Sequence, residues 1–176
     1  MQTLKQIGPK RVLKHIVFVF WQAIFNFLGF SPLRVFWLKL FGAQIGQNSI
    51  VDKIDFVNLD RKGLRGLSVG SHCFLGRGAL LDLADKITLK DHVIISPRVS
   101  IFSHMSVGLK THPLYKKYPP QLKSVIINRG CFIGASTTIL CGVTLNENSV
   151  IGAGSLINKN IPKNKLAAGN PVKIIR

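Results

Sequence analysis

Acidic residues are scarce in this chain of 176 residues: 7 Asp and Glu stand against 24 Lys and Arg, for a formal net charge of +17. Residues 1–51 contain none, and after Asp91 the only one is Glu147. A surplus of this size argues against cationic partners and for anionic ones: nucleic acid, lipid headgroups or phosphorylated small molecules. Cysteine is scarce too. Cys73, Cys131 and Cys141 form an odd set without a CxxC pair, which excludes a disulfide framework and a structural zinc site and makes a reducing compartment the expectation. The apolar run at residues 16–30 is broken by Gln22 and Asn26, and as a helix it reaches about 22 Å of a hydrocarbon core roughly 30 Å thick, too short for a simple span. No small-x-small cleavage site follows it, so it does not read as a secretory signal. A hydrophobic content of 47% excludes disorder. Nucleic-acid binding has charge in its favour but no recognition motif.

Many of the cations fall into three groups. Lys5, Lys10, Arg11, Lys14, Arg34 and Lys39 occupy the N-terminal segment; Lys110, Lys116, Lys117 and Lys123 crowd a stretch at 105–124; Lys159, Lys163, Lys165, Lys173 and Arg176 accumulate at the C-terminal end. Residues 16–30 predict one helix, and Ser31-Pro32 reads as the N-cap and first-turn proline of a second that closes at Gly42. Two basic, aromatic-rich, acid-free helices over residues 1–42 predict a hairpin lying on an anionic membrane surface, with packing on the body of the protein or on a sister subunit as the alternative. His15 reads only as a helix-side residue at that surface.

From residue 43 the chain repeats itself. Every sixth residue from Ile127 is aliphatic (Ile133, Ile139, Leu145, Ile151, Ile157), and the same step links Ile45 to Val51, Val69 through Leu75 to Leu81, and, after a slip of two residues, Leu89 through Ile95 to Ile101. The residue after each aliphatic is mostly Gly, Asn or Asp, including Gly46, Gly70, Gly76, Asp82, Asn128, Gly134 and Asn146, types that tolerate left-handed backbone and make turns. Four residues after it stand small or β-branched side chains such as Cys73, Ala79, Val99, Thr137 and Ser149, suited to a cramped interior edge. One hexad is thus a short strand and a turn, three close a triangular coil, and coils stack about 4.8 Å apart. The expected fold is mainly β: a parallel β-helix over 43–162 with an excursion at 105–124, followed by a basic tail over 163–176.

The blocks FIGA, ILCGVTL, VIGAGS and AAGNPVKIIR within 125–176 resemble the closing coils of the left-handed β-helix hexapeptide acyltransferases. With LKLFGAQIG at 38–46 and a His in the loop-bearing coil, the resemblance extends over nearly the whole chain. It is greatest to the bacterial acetyltransferases of capsule, exopolysaccharide and O-antigen synthesis. It implies a homotrimer that binds acetyl-CoA between subunits. The chain departs from the family with Phe132 in place of a Trp, Cys141 in place of a Pro, and Asn128 and Asn146 in place of Gly. The active-site Asn that maltose and galactoside acetyltransferases carry near the coil of Gly76–Gly78 is missing.

Chemistry is expected where the repeat breaks, between Ile101 and Ile127. A long excursion from a regular solenoid is usually functional, and His104 stands where the coil ends. Acetyl transfer from a thioester to a hydroxyl needs a base, and imidazole titrates near pH 6.5; the resemblance likewise puts its base at the start of this loop, so His104 is the expected base. One coil back lies Asp85, an acid where the repeat wants a small residue, either orienting His104 or pairing with Lys86 on the surface. His112 is read as a substrate contact or a surface residue. His72 and His92 are expected to stack on one edge, and no metal site is expected, since three histidines do not converge. The resemblance implies that small residues matching Ala135 and Ala153 flank the pantetheine groove, and that positions matching Asn158, Lys159, Lys173 and Arg176 meet the phosphates and adenine of coenzyme A.

The reading that combines these features is an acetyl-CoA-dependent O-acetyltransferase acting on a sugar hydroxyl in polysaccharide or lipid-linked glycan synthesis, cytoplasmic and peripheral on the inner membrane face. The alternatives are another small acceptor (a nucleotide-linked amino sugar, serine or an antibiotic) and a non-catalytic membrane-bound scaffold.

Overall fold

The computed structural model describes residues 9–176, without the side chains of residues 9–11 and 15. Lys5, and the side chains of Lys10, Arg11 and His15, therefore lie outside the described part. Three parallel sheets form the left-handed β-helix. The first stacks Gln44–Ile45, Leu67–Val69, Ile87–Leu89, Val125–Ile127 and Thr144–Leu145. The second runs from Ile50–Val51 through Phe74–Leu75, Ile94–Ile95 and Phe132–Ile133 to Val150–Ile151, and the third from Asp55–Val57 through Leu80–Asp82, Ser100–Ile101 and Thr138–Ile139 to Leu156–Ile157.

The periodic aliphatic residues fill the interior in columns. Val69 pairs with Leu89, which pairs with Ile127, which pairs with Leu145, and all four are buried. Each such side chain contributes roughly 1.5–3 kcal/mol by leaving water. The column of the third sheet starts at Phe56, in register with Leu81, a position that the six-residue step passes over because the chain between Val51 and Phe56 is one residue short. Solenoid pairing also continues beyond residue 162. Leu166–Ala168 adds to the second sheet beside Val150–Ile151, and Lys173–Ile174 folds back on it antiparallel, so the expected tail is partly sheet.

Left-handed backbone sits elsewhere than the sequence pattern suggests. Positive φ falls three residues after most of the aliphatics, at Asn48, His72, Gly78, His92, Arg98, Gly130, Ser136, Gly142, Asn148 and Gly154, rather than one residue after. Where the residue directly after is Gly, the next coil passes against it: a Cβ on Gly134 would stand 2.5 Å from the Ala153 nitrogen. Asn128 and Asn146 fit this position by donating their side-chain amides to the carbonyls of Leu145 and Ile161, at 3.1 and 2.9 Å.

Two helices, α1 (Pro9–Phe27) and α2 (Ser31–Leu40), cover the start of the solenoid. The polar breaks in the apolar run face inward. Gln22 donates to the Ile54 carbonyl and accepts from the Phe56 amide, and Asn26 donates to Asp55. Trp21 and Phe25 pack edge-on against Phe56, with ring centroids 5.8 and 5.7 Å apart. Ile16, Val19, Phe20, Ile24 and Phe27 are left on the outside, Phe27 being 89% exposed. Two expectations change here. Ser31 does not cap α2; Phe30 holds the cap position, and the Ser31 hydroxyl accepts the Val51 amide at 2.8 Å. Arg34 does not face headgroups: it is buried, donating to the carbonyls of Leu28 and Val51 and pairing with Asp52 at 3.6 Å. Its charge joins the helices to the first coil. Among the described residues no helix is long and apolar enough to cross a membrane.

Candidate active site

The chain leaves the solenoid at Ser103. His104–Met105 and Gln121–Leu122 pair antiparallel as the neck of the excursion, whose tip exposes Leu109, Leu114 and Tyr118. At the base of the neck lies Asp82, fully buried. Its Oδ2 accepts the amides of Ser103 and His104, both at 3.1 Å, and bonds the Nδ1 of His104; its Oδ1 accepts the Ala84 amide at 3.1 Å and the Asn58 side-chain amide at 2.7 Å. Asn58 takes up left-handed backbone, φ 58°, which an Asn tolerates and which ends the strand beneath Asp82.

This network assigns the imidazole tautomer. Every group around the carboxylate donates to it, so Nδ1 carries a proton toward Asp82 and Nε2 keeps its lone pair. The His104 side chain is 28% exposed against none for Asp82. A half-open imidazole with one nitrogen fixed on a buried acid can take a proton from a group that approaches Nε2.

Asp85 is not the partner. Its carboxylate lies 2.7 Å from Lys62, and that hydrogen bond holds its pKa below the usual carboxylate value. The coils here repeat every 20 residues, Leu81 opposite Ile101, so counting back from His104 lands two to three residues beyond the true partner. The chain turns out of the coil at Ser103 and folds over the Asp82 side chain. Asp82 was visible in the sequence only as one more turn former after an aliphatic, and Asn58 carried no periodic signal. His112 lies on the exposed excursion, its Nδ1 accepting the Leu114 amide at 3.2 Å. His72 and His92 stack as expected, centroids 5.0 Å apart.

Ala135 and Ala153 come together on one edge, the Gly154 amide donating to the Ala135 carbonyl at 2.8 Å. Asn158 and Lys159 follow the last strand of the third sheet, and Lys173 and Arg176 lie on the returning C-terminal strand and its end; all four side chains are exposed. Burial raises the thiol pKa values of Cys73 and Cys131. Among the described residues no three His, Cys, Asp or Glu side chains converge as a metal site.

Residues 124–159 match the six-repeat bacterial transferase hexapeptide family. The chain is 37% identical over 145 residues to galactoside O-acetyltransferase of Escherichia coli (strain K12), covering 79% of this chain and 66% of that protein. It is 28% identical over 143 residues, 81% of this chain and 74% of the other, to WcaF of the same organism, assigned to colanic acid biosynthesis as an acetyltransferase. The solved structure of a galactoside acetyltransferase in complex with coenzyme A superimposes with a TM-score of 0.80 at 26% identity, covering 97% of this chain and 83% of that one.

Proposed function

Because this chain belongs to the hexapeptide-repeat transferase family, we propose that it transfers the acetyl group of acetyl-CoA to a hydroxyl of a sugar in polysaccharide or lipid-linked glycan synthesis. The observation that carries this reading is the imidazole of His104, bonded through Nδ1 to buried Asp82 at the mouth of the excursion. Nε2 takes the proton of the acceptor hydroxyl as its oxygen attacks the thioester carbonyl carbon. Asp82 steadies the imidazolium so formed. When the tetrahedral intermediate collapses, the carbon–sulfur bond breaks and the leaving thiolate takes the proton from His104. No covalent acyl-enzyme is required. Asp82 is a positioning residue, and Asn58 positions Asp82 in turn.

The donor lies along the edge of Ala135 and Ala153, where a larger side chain would close the groove, and Asn158, Lys159, Lys173 and Arg176 meet its phosphates and adenine; guanidinium and ammonium groups are the natural partners for them. The enzyme works as a homotrimer. The outward apolar face of α1, with Ile16, Phe20, Ile24 and Phe27 exposed, rests on the anionic inner leaflet without crossing it. The test is release of coenzyme A thiol from acetyl-CoA in the presence of a glycan acceptor. Release is expected from the wild-type protein and lost in His104→Ala; undiminished release in that variant refutes the role of His104.

A further inference from the structure

An apolar groove of about 560 Å³ opens between α1 and the turn that bulges from the first coil, α3 (Leu59–Lys62) with Gly63–Gly66. Its volume lies in the range of small-molecule sites, roughly 300–1,000 Å³. Val17, Phe18, Trp21, Phe41 and Leu59 line it, while Lys14, Arg61 and Arg65 stand around it against one acid, Asp60; Lys62, also at its edge, is paired with Asp85. Trp21 is buried, and among the described residues its indole N–H has no hydrogen-bond partner. A second hollow of about 350 Å³ shares Lys14, Phe18, Leu59 and Asp60 with the first and continues to Asn58, whose amide touches both Asp82 and the His104 ring. The two hollows thus run from an apolar bed with a cationic surround to Asn58, the residue next to the proposed base.

Apolar walls without a charged surround would suit a neutral ligand, and cations without apolar walls would suit a free phosphate. Together they fit one molecule that is both, a long hydrocarbon chain ending in phosphate. We infer that this groove holds the chain and phosphate of a lipid-linked acceptor and thereby delivers its sugar hydroxyl to His104. The inference rests on the reading of His104 as the base for a glycan hydroxyl and adds the class of carrier.

The binding test needs no turnover. Farnesyl phosphate, titrated below its micellar concentration without acetyl-CoA, is followed by the tryptophan fluorescence of Trp21 and the neighbouring Trp37. Saturable binding is expected, about tenfold weaker for farnesol and absent for inorganic phosphate. Arg61→Glu should weaken farnesyl phosphate about tenfold and leave farnesol unchanged; Val17→Asp should weaken both, and His104→Ala neither. Val17 is 61% exposed, so its replacement leaves the core intact. Binding that neither groove variant alters, or binding only to phosphatidylglycerol vesicles, overturns the inference. In turnover, both groove variants should raise KM for a lipid-linked acceptor about tenfold and leave kcat and the KM of the lipid-free glycan as they were; an equal rise for both acceptors overturns it. Absence of turnover in the wild-type protein would count against the acetyltransferase reading, while the binding arm still decides on the groove.

Discussion

His104 and Asp82, 22 residues apart in the chain, meet in one hydrogen bond, with the acid fully buried and the imidazole partly open. The excursion begins where this bond is made, so the break in the solenoid and the orientation of the ring have one structural cause: the amides of Ser103 and His104 close on the same carboxylate oxygen.

His104→Ala should lower kcat by about 10²–10⁴, the usual contribution of a general base. Asp82→Asn should lower kcat by roughly 10²-fold or more with little change in KM, because an amide can donate to Nδ1 and stabilise the wrong tautomer. Asp85→Ala should leave kcat within about twofold. Steady-state kinetics on the three variants, with melting temperatures to check folding, decide it; a larger loss in Asp85→Ala than in Asp82→Asn would reverse the assignment.

Close coil stacking makes a prediction at two glycines. Gly134→Ala should destabilise by about 1–3 kcal/mol, as overpacking does, since the new Cβ meets backbone at 2.5 Å. Gly154 has φ +68° with open space around it, so Gly154→Ala should cost about 1–2 kcal/mol through the backbone alone. Urea denaturation measures both.

Arg34→Met should destabilise by roughly 3 kcal/mol. It removes the donors that serve Leu28 and Val51 and leaves Asp52 without its helix partner, the low end of the range for breaking a buried charge pair because Asp52 is partly exposed. Thermal unfolding of this variant beside Lys39→Met, an exposed cation on the same helix, separates the two; equal losses would show that Arg34 contributes no more than surface charge.

Cys73 and Cys131 have raised thiol pKa values through burial. Their folded-state values lie above the unfolded ones, so the stability they contribute is present below the unfolded thiol pKa of about 9 and is lost as pH rises through the folded values. The melting temperature should fall as pH rises above about 9, and that of a Cys73→Ala, Cys131→Ala double variant should fall less. In the native protein at neutral pH, an alkylating reagent should modify Cys141, which is partly exposed, well before the other two.

Replacing Phe20 and Phe27 by Glu should abolish sedimentation with anionic vesicles, because both project from the outer face of α1. The fold should be unaffected, and co-sedimentation equal to that of the wild-type protein would remove the membrane from the proposed function.

The coils were legible in the sequence because a buried aliphatic every six residues is a local constraint: each hexad must place one side chain inside whatever its neighbours do. The two helices were legible for a similar reason, and His104 stood out because it ends the periodicity. What the tertiary structure alone decided were relations between coils. Asp82 rather than Asp85 reaches His104 because the backbone leaves the coil and closes over it, which no residue count contains. Gly134 is small because of Ala153 in the next coil, not because of its own φ. Arg34, Gln22 and Asn26 turn inward because the first coil offers them carbonyls, an amide and carboxylates, and that choice leaves the outward face of α1 apolar. Such partners lie 17 to 34 residues away along the chain, and only folding brings them within the few ångströms over which a hydrogen bond acts.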